Sequence, residues 1–99
     1  MKRDEALKRL AEHAEELRRG FGVAHIDIFG SVARDEAGPD SDIDILVEFQ
    51  PDARVGLFEF SGLKLYLEQL LATEVDLATP QALKKQLKDQ ILREKVRAA

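Results

Sequence analysis

Apolar positions along this chain change their spacing several times, and each change marks an element. In the opening segment Leu7, Leu10, Ala11, Ala14 and Leu17 recur at intervals of three and four, the period of a helix with one buried stripe, and the pattern stops near Gly20 and Gly22. From Val23 to Phe29 the period falls to two, with Ile26 and Ile28 set against His25, Asp27 and Phe29, which predicts a strand. GSVARDEA begins a short helix straight after it, and GPDS has turn chemistry. DIDILVEF, Asp42 to Phe49, is then a second strand with Ile43, Ile45 and Val47 on one face. Leu57, Phe60, Leu63, Leu67, Leu70 and Leu71 predict a helix over Leu57 to Leu71 with a wide buried stripe. Thr73 to Ala78 reads as a short third strand. Thr79 and Pro80 open a last helix, because a hydroxyl can cap free amides and proline needs no donor at the first helical position. That helix runs to about Val96, with Leu83, Leu87, Ile91 and either Leu92 or Val96 inward. The order predicts an α/β (α+β) fold, a small sheet with helices packed mainly on one side, in a single domain over residues 1–99.

The second strand carries a chemical oddity. Side chains two residues apart on a strand share a face, so Asp42 and Asp44 stand side by side while Ile43 and Ile45 turn the other way. Neighbouring carboxylates resist ionising together unless a cation lies between them, and Mg²⁺, a hard ion with oxygen ligands, suits such a pair and shares its shell with substrate phosphates. Gly30-Ser31, ten residues before Asp42, lies at a strand-to-helix turn, where outward-facing amides favour an anion and glycine lets that anion approach the main chain. The Ser31 hydroxyl adds a donor, and Arg34, on the same side of the turn, can contact a phosphate. A third acid, Asp76, sits mid-strand between Val75 and Leu77. If its strand lies beside that of Asp42 and Asp44, three carboxylates converge, enough for two metal ions.

Composition narrows the field. With 99 residues, 44% hydrophobic and 34% charged, the chain is an ordinary globular length whose small core leaves large free faces for a partner or a second copy of itself. No apolar run reaches membrane-span length and no signal-like stretch opens the sequence, so the cytoplasm is the expected location. The absence of cysteine removes disulfides, thiolate metal sites and thiol nucleophiles. A net charge of −4 argues against general nucleic-acid binding. The charge is also uneven: six acids and no base lie between Asp35 and Glu48, whereas six bases and two acids lie between Gln81 and Arg97. No phosphate-binding loop ending in Lys-Ser or Lys-Thr, no dinucleotide fingerprint and no G-x-S-x-G elbow is present.

Gly-Ser, ten residues, Asp-x-Asp and an acid on a later strand resemble the signature of the DNA polymerase beta nucleotidyltransferase superfamily. GSVARDEAGPDSDIDILVEF with VDLATPQALKKQLKDQILREKV is similar to the minimal nucleotidyltransferases encoded beside HEPN-domain partners, over nearly the whole chain. The resemblance implies a nucleotidyltransferase fold in which Gly30 and Ser31 hold a triphosphate and Arg34 assists. It implies that Asp42 and Asp44 bind two Mg²⁺ ions and that Asp76 completes the catalytic metal site. It further implies transfer of AMP from ATP to a hydroxyl of a HEPN toxin, as an antitoxin. Asp35 departs from the pattern, since many relatives have glycine there. Two other readings compete: a contact-only antitoxin that keeps the fold, and a transferase acting on an aminoglycoside-type small molecule.

The remaining candidates have bland readings. His13 and His25 lack a partner at ligand spacing and read as surface or strand-flank residues. Asp27 either borders the site or faces solvent. Phe58, Phe60 and Tyr66 read as core, and the bases of the last helix, Lys84, Lys85, Lys88, Arg93, Lys95 and Arg97, as a solvated face.

Overall fold

A computed structural model describes all residues, Met1–Ala99. Its elements are α1 (Arg3–Glu12), α2 (Ala14–Phe21), β1 (Val23–Phe29), α3 (Gly30–Ala33), β2 (Ile43–Phe49), α4 (Leu57–Leu71), β3 (Val75–Ala78), α5 (Lys85–Glu94) and β4 (Val96–Arg97). The four strands form one mixed sheet in the order β3-β2-β1-β4, with β2 antiparallel to β1, parallel to β3, and β4 antiparallel on the far edge of β1.

The two-residue alternation decides which face is dry. Ile26 and Ile28 of β1, Ile43, Ile45 and Val47 of β2 and Val75 of β3 join Ala6 and Leu10 of α1, Leu17 of α2 and Leu63, Leu67 and Leu71 of α4 in one buried cluster. Each fully buried Leu or Ile contributes about 1.5–3 kcal/mol, so this layer is the main source of stability. The intervening residues of the same strands, Asp27, Phe29, Asp44 and Asp76, therefore project from the opposite face.

Several sequence expectations need correction. The first helix is broken at His13, whose Nδ1 donates to the Arg9 carbonyl at 2.9 Å. That carbonyl would otherwise receive the His13 amide, which bonds Leu10 instead, and α2 restarts from there. Pro80 opens only a single 3-10 turn over Pro80–Ala82, and α5 begins at Lys85. No residue of α5 is buried, and Leu87 and Leu92, expected inward, are exposed. The α5 helix stops at Glu94, because Lys95 turns to extended geometry and Val96–Arg97 pair with β1. At the start of α4, Leu57 and Phe58 point outward, Phe58 being 90% exposed, whereas Phe60 and Tyr66 pack partly against the core.

The edge strand explains Asp27. It is 1% exposed and accepts from Lys95 Nζ at 3.0 Å and from Arg97 Nε at 2.6 Å. Lys95 and Arg97 alternate around Val96, which packs on the core side, so this terminal stretch is a strand pattern fastened by a buried carboxylate. Asp27 is neither solvent-facing nor free. The exposed His25 contacts the Arg97 guanidinium at 2.8 Å.

Candidate active site

The acid-bearing face is assembled by register. Parallel pairing sets Asp44 of β2 opposite Asp76 of β3, and antiparallel pairing sets Phe29, the last residue of β1, opposite Asp44. Like charges opposite one another destabilise a sheet, so the Asp44–Asp76 pair opposes folding unless something positive joins it. Burial first, then the charges of Asp76 and Asp42, push the Asp44 carboxyl from 3.8 up to about 6, and a hydrogen bond with Asp76 adds to the rise while Arg34 opposes it. Asp44 is half-buried, whereas Asp42 and Asp76 are exposed.

Asp42 stands one residue before β2, at the end of a turn that Ser41 closes by accepting the Gly38 amide at 3.0 Å. It acts on Asp44 through charge. The expected convergence is thus closest for Asp44 and Asp76, and no three acidic or imidazole side chains already surround a common point. The donor chemistry fits a hard divalent cation: carboxylate oxygens only, one of them destabilised as an anion by its neighbours.

Gly30 connects the two halves of the site. Its φ is +73°, and a Cβ there would collide with Asp44 Oδ2, so only glycine lets the β1–α3 turn press against this carboxylate. Helix α3 is a single turn of four residues, so the donors near the acids are local groups rather than a helix dipole. Ser31 is half-buried, and its carbonyl accepts the Glu36 amide. The Asp35 amide bonds the Val32 carbonyl, and Asp35 itself is left-handed at φ +61°. Together these bonds make a Schellman termination, and its left-handed position explains why glycine would sit comfortably there. Aspartate tolerates the same conformation, so the departure at Asp35 keeps the turn intact.

Arg34 is exposed and donates from Nη1 to Glu94 Oε1 at 3.1 Å and from Nε to Glu36 Oε2 at 3.3 Å. The Gly30 amide points at the same Glu94 oxygen, at 3.4 Å. Sequence reasoning missed Glu94. The available signal was an acid in the final turn of a basic helix, where the macrodipole disfavours it.

A mixed sheet with helices on one face and an acid pair beside a glycine turn on the other is the arrangement of a nucleotidyltransferase fold. The nucleotidyltransferase-domain family model matches residues 10–98. The protein adenylyltransferase MntA of Thermococcus cleftensis is 46% identical over 87 residues, covering 88% of this chain and 86% of that protein. A solved structure provisionally named a minimal nucleotidyltransferase superposes with a TM-score of 0.77 at 38% identity, covering 97% of this chain and 95% of that one. A more distant structure, the tri-AMPylated HEPN toxin of Shewanella oneidensis in complex with its MNT antitoxin, shares the fold at a TM-score of 0.63 and 20% identity, covering 94% of this chain and 71% of that one. This chain belongs to the nucleotidyltransferase-domain family, within its minimal branch, and is a nucleotidyltransferase.

Proposed function

We propose that this protein is an antitoxin that transfers AMP from ATP to a hydroxyl of a HEPN-domain toxin, with Mg²⁺ held by Asp42, Asp44 and Asp76. The observation that carries the reading is the juxtaposition of the Asp44–Asp76 pair with the Gly30 turn, which brings cation ligands and anion donors into contact. The adenylyltransferase name of the Thermococcus relative supports the reaction, and the HEPN–MNT complex from Shewanella supports the acceptor class.

In this scheme the Gly30 amide, the Ser31 hydroxyl and Arg34 bind phosphate oxygens and fix the triphosphate over the acids. Bound Mg²⁺ would neutralise charge on the phosphates and on the departing pyrophosphate. The acceptor oxygen bonds to the α-phosphorus, the α–β phosphoanhydride bond breaks, pyrophosphate leaves, and Asp76 takes the hydroxyl proton. The acids lie on an open face, since Asp42 and Asp76 are both exposed, which suits an acceptor that arrives on the surface of another protein.

Incubating the protein with Mg²⁺, ATP and its co-encoded partner, followed by intact mass of the partner, tests this. A gain of one or more AMP units that disappears in the Asp42→Asn/Asp44→Asn protein is the expected result. A stable complex with no mass change under any nucleoside triphosphate would instead establish neutralisation by contact.

A further inference from the structure

Two of the three donors assigned to the triphosphate are already engaged. The Gly30 amide and the Arg34 guanidinium converge on one oxygen of Glu94, at 3.4 and 3.1 Å. A carboxylate, like a phosphate, presents anionic oxygen acceptors, so the site already contains an internal anion. Glu94 closes α5 at the end where the helix dipole repels it, which leaves the interaction with Arg34 and Gly30 as the local feature favouring its position.

We propose that Glu94 governs access to the site by occupying the anion cradle, so that a nucleoside triphosphate binds only by displacing it. The inference rests on the proposed phosphate role of Gly30 and Arg34. Displacement is mechanically easy from one side and limited on the other. Helix α5 buries none of its residues and can shift at small cost in packing. Lys95, the next residue, is tied to buried Asp27, and Val96–Arg97 are paired to β1, so movement is confined to the Glu94 side chain and the helix before it. A triphosphate carrying Mg²⁺ engages the donors and the acids at once and outcompetes a single tethered carboxylate, whereas a ligand with one phosphate must displace it with fewer contacts.

The test is calorimetric titration of wild type and Glu94→Gln with Mg²⁺-ATP and with inorganic phosphate. Glutamine keeps the shape and an acceptor for the Gly30 amide but removes the charge, so a merely structural Glu94 predicts no gain in affinity. A cradle closed about 90% of the time predicts that the variant binds Mg²⁺-ATP and inorganic phosphate each on the order of 10-fold more tightly. Adding Arg34→Ala to the variant should abolish the gain. Thermal melting checks that both variants fold, and Glu94→Asp, too short to reach both donors, provides a second route to the same gain. Wild-type binding with equal or weaker affinity in Glu94→Gln overturns this inference alone. Absence of Mg²⁺-ATP binding in both proteins overturns the phosphate reading beneath it, and this inference with it.

Discussion

A carboxylate pressed against another carboxylate lowers its energy by taking a proton or a cation, and Asp44 is placed for either. Its pKa is raised to about 6, so between about pH 4 and 6 the folded protein binds more protons than the unfolded chain. The sign follows: stability falls as pH rises through that window, and the full loss is present above it. Replacing Asp44 with Asn removes the titrating charge and should raise stability at pH 7.5 by about 1 kcal/mol, a value reduced for its partial exposure. The same change should lower transfer activity by at least about 100-fold. Urea unfolding of both proteins from pH 4 to 8 checks the first effect and intact mass of the acceptor the second. Gly30→Ala meets both a left-handed backbone and the Asp44 carboxylate, so it should cost about 2 kcal/mol or more and displace the acid it touches, seen as a lower melting temperature together with weakened Mg²⁺ binding. At this scale the turn at Gly30 and the strand positions of Asp44 and Asp76 were legible in the sequence, because strand parity and turn chemistry are local properties. Glu94 and the buried state of Asp27 depend on where the end of the chain returns, which local patterns do not specify.

Among the elements, the last ten residues show how tertiary contacts override periodicity. Leu83, Leu87 and Ile91 suggested a helix continuing to Val96, but two bases flanking Val96 meet Asp27 and draw the backbone into the sheet edge, where Ala98 and Ala99 donate to the Ile26 carbonyl. Asp27→Asn leaves Lys95 and Arg97 without their charge partner and should cost about 2 kcal/mol. That corresponds to a drop in melting temperature on the order of 10 °C for a domain of this size. Hydrogen exchange should speed up at the Ile26, Ala98 and Ala99 amides before the rest of the sheet. The α4–β3 connection makes a separate point. Ala72 ends α4 in the left-handed region at φ +55° and is exposed. Ala72→Gly should therefore gain up to about 1 kcal/mol, read as a higher urea midpoint with unchanged slope.

For the molecule as a whole, the pattern of helices and strands predicted a sheet covered on one side, and that layer arrangement is what leaves the opposite face for chemistry. Aromatic identity was a poorer guide: Phe58, read as core, lies about half a turn out of phase with the buried Leu67 and so sits on the outer side of α4. The β2–β3 register has a consequence for fidelity. Side chains alternate strictly along β3, so a slip of one position would carry Asp76 into the hydrocarbon layer and push Val75 and Leu77 into water. A chain that has found its lowest-energy packing has therefore also aligned its acids, and misassembled molecules are rejected by their own interior before they could ever handle a nucleotide wrongly.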